Sequence, residues 1–299
     1  MQINKNNFGP LFVISAALLW ALDGVIRRYL YSLPPVTIIF FEHLIGTIIL
    51  FPFFAKSIIK VRFSKKEWFL IILVSVLSGL LGTLFFTTAL LKVSFISFSV
   101  VFLLQKLQPI FAILSARIFL KEKFKKGYLP FALLALISAY FVTFSNGIVN
   151  LNTGEGTVVA ALFALGAAVF WGTSTTFSKM LLTDIRPEIS TFYRFLITTI
   201  LSFILIFILG KGSTINDVTL NQYGFLTLIA VSTGMVALLI YYRGLKRTPV
   251  HIATILELIF PLVAIIIDIK LYGNVLSITQ WIAGIVLIFS VYKISKLKE

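Results

Sequence analysis

The sequence predicts an all-α integral membrane protein of ten transmembrane helices, folded as two inverted five-helix repeats with both termini cytoplasmic. Three observations lead there. First, 59% of the 299 residues are hydrophobic and 12% are charged, against about 45–50% and about 25% in soluble domains. Second, the apolar residues come in runs of about 18–25, long enough to cross a hydrocarbon core about 30 Å thick. Third, motifs of the first half return in order in the second.

The expected spans fall at about 9–28, 36–55, 68–91, 95–117, 128–145, 157–179, 188–209, 222–243, 249–269 and 279–295. Gly9 to Leu30 lacks a basic leading region and a small-residue cleavage site, so it is expected to remain as a span rather than be removed as a signal. Turn chemistry separates the spans: Pro34-Pro35, the basic stretch 56–66, the run 121–127, Asn146-Gly147, Arg186-Pro187, Gly210-Lys211-Gly212, Thr248-Pro249 and Gly273-Asn274.

The net charge of +15 could suggest a nucleic-acid partner, but in a polytopic chain basic residues mark cytoplasmic loops. Of the 26 Lys and Arg residues, 19 fall on the side of the N-terminus, Lys5 and Lys298 among them. Five fall on the other side (Arg27, Arg28, Lys92, Lys211, Lys270), and Lys106 and Arg194 sit inside spans. That bias places both termini in the cytoplasm, with no nucleic acid expected.

The repeat is read from four correspondences. Trp20 answers to Trp171, and Pro35, seven residues before Glu42, answers to Pro187, seven before Arg194. Gln105 and Pro109 answer to Glu257 and Pro261, at the same spacing. Five spans per half is an odd number, so the halves, 1–148 and 149–299, must lie inverted in the membrane. Inverted repeats are a transporter architecture with the site at the midplane between them.

Lys106 is the strongest candidate for that site. At 1.5 Å per residue it lies roughly 16 Å from Arg117 and 21 Å from Lys92, too deep for its stem to reach the interface. An ammonium there costs at least about 2.5 kcal/mol unless it meets a counter-charge or water. Gln105 and Gln108 flank it on one helix face, and Pro109 removes an amide donor and kinks the helix. The patch is expected to face a cavity, with Pro109 and Pro261 as hinges.

The other buried charges each carry two readings. Asp23 either pairs with Arg27 at i+4 or serves as a cavity acid for a proton or a substrate ammonium. Glu42 is a counter-ion for Lys106, either as structural pair or as coupling group. Arg194 and Glu257, at similar depth, form a salt bridge, or Arg194 holds a substrate carboxylate. Trp20 and Trp171 are carried as pathway residues because the repeat pairs them, ahead of Tyr241 and Tyr242. Ala160, Ala164, Ala168 and Gly172 form a smooth ridge for close helix packing.

Enzyme chemistry lacks its signatures. Cysteine is absent, histidines number two, and neither a His-Glu-x-x-His metal motif nor a phosphate-binding glycine loop occurs. No metal or cofactor is expected.

The paired Trp20 and Trp171, the segment Pro187 to Arg194, Leu245-Lys246-Arg247-Thr248-Pro249, and Pro109 followed by Phe119-Leu120-Lys121-Glu122 resemble the drug/metabolite transporter superfamily, and within it the ten-span EamA-type carriers. Glu42 departs from the arginine common there, and Asn274 from the second-repeat glutamate. The resemblance implies an alternating-access secondary transporter of the inner membrane, monomeric or homodimeric, and favours export. The mixture of deep acids and bases points to a zwitterionic or cationic metabolite, foremost an amino acid, with protons as a candidate coupling ion. Nucleosides, S-adenosyl compounds and drugs are alternative solutes; a channel or a membrane enzyme are the other readings.

Overall fold

The computed structural model describes residues 8–92, 100–149, 156–263, 266, 270 and 276–297. Helices account for nearly all of them: α1 Gly9–Leu30, α2 Pro35–Lys60, α3 Lys65–Lys92, α4 Val100–Gln105, α5 Gln108–Leu120, α6 Tyr128–Thr143, α7 Thr157–Asp184, α8 Pro187–Ile208, α9 Leu220–Leu245, α10 Val250–Val263 and α11 Ile278–Ser295. Seven of these are long and apolar enough to cross a membrane, and α5, α6 and α10 are shorter apolar helices. A multi-pass membrane protein follows. The opening of the expected fourth span (95–99), most of the far end of the ninth, the Gly273-Asn274 turn, and Lys5 and Lys298 lie outside the described residues.

Local chemistry sets the helix ends. Ser64 with Glu67, Thr219 with Gln222, and Ser277 with Gln280 form reciprocal capping boxes at the starts of α3, α9 and α11. Pro35 and Pro187 open α2 and α8, where a missing N–H costs nothing. The expected kink at Pro109 is a full break: helix stops at Gln105 and restarts at Gln108, with Lys106 and Leu107 in a turn between. The amides of Leu107 and Ile110 reach back three residues, to Leu104 (3.0 Å) and Leu107 (2.9 Å). Before Pro261, Glu257–Ile259 tightens to 3₁₀ geometry.

Packing pairs helices across the midpoint of the chain: α2 with α8, α6 with α11, α1 with α9, and α3 and α5 with α7. The ridge on α7 does what its spacing predicts. Ala160, Ala164 and Ala168 are fully buried, and a Cβ on Gly172 would stand 2.6 Å from the Gln108 carbonyl oxygen. On the opposite face of α7, Val158 and Leu162 are exposed, as are Phe51 and Phe53 of α2 and Ile282 and Ile285 of α11. An apolar exterior around a core rich in small and hydroxyl residues suits lipid contact outside and close helix approach inside.

Besides the last turn of α5 (Ala116–Leu120), two segments wind wider, with π geometry: Ser75–Gly82 within α3 and Ala230–Val236 within α9. Such bulges leave a carbonyl short of its helical donor. Their carbonyls meet the site described next.

Candidate solute-binding cavity

A cavity of about 320 Å³ opens among α1, α2, α3, the α4–α5 break, α7, α8, α9 and α10. It falls in the range of small-molecule sites, about 300–1,000 Å³. Trp20, Asp23, Glu42, Gln105, Lys106, Gln108, Pro109, Trp171, Arg194, Glu257 and Pro261 all line it. The eleven residues singled out from the sequence therefore meet in one place, although several of the expected partnerships differ.

Glu42 does not pair with Lys106. Its carboxylate accepts a hydrogen bond from Arg27 Nη2 at 3.1 Å, while Arg27 Nε and Nη2 bind Asp23 at 2.8 and 2.9 Å. Four residues of helix bring Asp23 and Arg27 to one face, and α2 delivers Glu42 to the free edge of that fork. Arg27 is 3% exposed, so the pair expected near an interface is a buried hub. Thr233 Oγ1 donates to Asp23 Oδ1 at 2.7 Å and ties the hub to α9.

Arg194 does not bridge to Glu257. Its Nη1 donates to Tyr242 Oη at 3.1 Å. Both oxygens of Glu257 take neutral donors instead, Tyr241 Oη at 2.6 Å and Gln108 Nε2 at 3.2 Å, and Gln105 reaches Gln108 at 3.5 Å. Depth from a helix end fixes height but not direction around the axis, which is why the sequence paired the wrong groups.

Lys106 is 8% exposed, and its Nζ stands 3.4 Å from the centroid of the Phe260 ring. Among the described residues no carboxylate lies within ion-pair distance of it. The sealed, unpartnered polar atoms include Arg27 Nη1, Gln105 Oε1 and Arg194 Nε, but not this Nζ, which keeps contact with the cavity.

The two tryptophans are cross-braced. Trp20 Nε1 donates to the carbonyl of Thr233 at 3.0 Å, and Trp171 Nε1 to the carbonyl of Ser78 at 3.2 Å. Each indole thus satisfies a carbonyl in the π segment of the other half of the chain. Their faces still form cavity wall, with Tyr241 4.9 Å from Trp20 and Phe86 5.1 Å from Trp171, centroid to centroid. Sequence reasoning missed Thr233 and Phe260. Phe260 directly precedes Pro261, yet as one of 30 phenylalanines it carries no mark of its own.

The cavity reaches Arg28, Leu90 and Thr143 at one end. Toward the other end the interior is tied together. Ser178 meets Tyr242 at 3.3 Å, Tyr128 Oη donates to the His251 carbonyl at 2.7 Å, and Lys179 Nζ donates to the carbonyls of Leu245, Lys246 and Thr248. Glu122 accepts from the amides of Val250 (2.8 Å) and His251 (3.1 Å) at the start of α10 and meets His251 Nδ1 at 2.5 Å. Burial pushes the Glu122 carboxyl up, but the hydrogen bonds from the His251 ring and the two amides outweigh it and hold the group below the ordinary carboxylate range.

The model of the EamA-like transporter family matches this sequence twice, at residues 7–144 and 158–296. The chain belongs to that family. It is 36% identical to the riboflavin transporter ImpX of Fusobacterium nucleatum, over 97% of this chain and 98% of that one. It is 25% identical to the uncharacterized transporter YwfM of Bacillus subtilis, over 93% and 90%. A solved crystal structure superposes with a TM-score of 0.75 over 96% of each chain at 17% identity, a likeness of fold. As an EamA-like protein the chain is a small-molecule transporter and not an enzyme.

Proposed function

We propose that this EamA-like transporter carries riboflavin, or a closely related flat heteroaromatic solute, across the cytoplasmic membrane. The observation that carries the reading is the state of the cavity's acids. Asp23 and Glu42 are held by Arg27, and Glu257 is taken by Tyr241 and Gln108. A zwitterionic amino acid would have to seat its ammonium against Arg27 at Asp23 and Glu42, or displace Tyr241 or Gln108 from Glu257. What the cavity offers instead is aromatic wall, amides and one ammonium, which suits a planar ring with polar edges. The name of the ImpX relative points the same way.

In this reading Trp20, Gln105, Lys106, Gln108, Trp171 and Glu257 face the solute, while Asp23, Glu42 and Arg194 hold the walls. The halves 1–148 and 149–299 act as inverted five-helix repeats that rock about the cavity, with ten spans and both termini cytoplasmic. The reciprocal bracing of Trp20 on Thr233 and Trp171 on Ser78 supports that symmetry. Pro109 and Pro261, each beside a local break from α-helical geometry, are the matching hinges. The expectation of export rests on family resemblance alone.

Counterflow in proteoliposomes tests the reading. Vesicles loaded with unlabelled riboflavin should accumulate radiolabelled riboflavin transiently and saturably, and a mixture of amino acids should leave the signal unchanged. Counterflow of amino acids without counterflow of riboflavin would overturn it.

A further inference from the structure

The unpaired ammonium at the α4–α5 break has a structural consequence for how a solute is oriented. Lysine offers three N–H donors and no acceptor. Phe260 covers one side of Nζ with its ring face at 3.4 Å, and no hydrogen bond to another group is formed among the described residues. The neighbouring amides do not supply the missing acceptor: the oxygen of Gln108 accepts from Gln105, and Gln105 Oε1, though unpartnered, forms no hydrogen bond to Nζ. A cation on an aromatic face is fixed in place by the ring quadrupole but is not neutralised by it. A nearly buried ammonium in this condition is costly until an electron-rich acceptor arrives. The solute must bring it.

Three parts of riboflavin differ in what they can bring. The dimethylbenzene edge has no acceptor. The ribityl hydroxyls are neutral and weak, and are as well served by amides. The dioxopyrimidine edge carries two pairs of ring nitrogen and carbonyl oxygen, N1 with the oxygen at C2 and N5 with the oxygen at C4, and charge near N1 or N5 tunes flavin electronics.

We propose that Lys106 is the specificity-determining residue that reads this edge, donating to flavin N1 and the C2 oxygen while Phe260 holds the ammonium in position. The proposal rests on the riboflavin reading and adds an orientation to it: the pyrimidine end of the ring lies at the α4–α5 break. The chemical class it selects is a planar ring with adjacent imine nitrogen and carbonyl oxygen.

Displacement of radiolabelled riboflavin from the full chain in detergent, by ring analogues, tests it. In the wild type, 1-deazariboflavin, which replaces N1 with a carbon, should bind about tenfold or more weaker than riboflavin, the worth of a charge-assisted hydrogen bond. 5-Deazariboflavin and lumiflavin, which keep N1 and the C2 oxygen, should not show that loss. In Lys106→Gln riboflavin should weaken by a similar factor, and the gap between riboflavin and 1-deazariboflavin should close. Lys106→Arg should restore part of it. Equal binding of riboflavin and 1-deazariboflavin by the wild type would overturn the proposal, as would a gap that persists in Lys106→Gln. A Lys106→Gln chain that fails to fold leaves the wild-type comparison to decide. No binding of riboflavin by the wild type would sink the functional reading itself, which is a separate result.

Discussion

At the scale of single residues, Arg27 organises more of the cavity than any group the sequence put forward. Its fork bonds Asp23 twice and Glu42 once, and it is almost wholly buried. Removing the cation would leave two carboxylates without an ion-pair partner, with Thr233 still donating to Asp23 alone. Breaking a buried ion network in this way typically costs about 3–5 kcal/mol. Arg27→Gln is therefore expected to lower the thermal unfolding midpoint in detergent sharply, and Glu42→Gln much less, since Asp23 keeps the guanidinium compensated. Similar losses in the two variants would contradict the hub. The Asp23–Arg27 half of this arrangement was legible, because an acid and a base four apart on a helix share a face. The Glu42 half was not. In a helix apolar all round, sequence gives a residue its depth, and the partner depends on which way the helix is turned.

At the scale of elements, the small-residue ridge of α7 was readable, and the π segments were not. Ala160, Ala164, Ala168 and Gly172 repeat every four residues, and the structure buries all four. The wide turns at Ser75–Gly82 and Ala230–Val236 leave no trace in a sequence that is apolar on both sides. Trp20 and Trp171, whose indoles reach these turns, carry in the sequence only the reading of paired pathway residues. Two changes separate these features. Gly172→Ala would drive a methyl group to 2.6 Å from the Gln108 carbonyl oxygen and 3.0 Å from the Ala112 amide nitrogen. The contact is backbone, so α5 and α7 must part, at a cost of about 1–3 kcal/mol. Trp171→Phe keeps an aromatic wall but removes one of the two donors to the Ser78 carbonyl, leaving Thr83 Oγ1 at 3.1 Å, at a cost of about 0.5–1.5 kcal/mol. Both should appear as lower unfolding midpoints, and an unchanged midpoint in Trp171→Phe would mean that the indole N–H bond carries no weight.

At the scale of the whole molecule, the pairing of helices across the chain midpoint makes the two ends of the cavity unequal. The end near Arg28 and Thr143 is reached by the cavity, and the end near the start of α10 is tied down. The motifs that return in the second half raise the expectation of two repeats packed on each other. Which end is closed was not legible, because both halves contribute similar residues to each. Among the described residues, Glu122 with His251 is the one carboxylate-to-base contact that joins residues before 148 to residues after it. Lys123, Lys125 and Lys179 line the same recess. The hydrogen bonds from His251 and Val250 hold the Glu122 carboxyl below its ordinary range in the folded protein, against the upward push of burial. A depressed folded value means that the contribution to stability is complete above the unfolded carboxylate value, about 4.3, and is lost as pH falls through the folded one. Glu122→Gln should therefore lower the unfolding midpoint at neutral pH by a constant amount. The wild type should converge on the variant only as the pH drops below about 4, where protonation undoes the same bonds. Unfolding midpoints of both proteins measured from pH 7 downward decide it. A gap that widens with acid would mean that Glu122 is not held as the carboxylate at the start of α10.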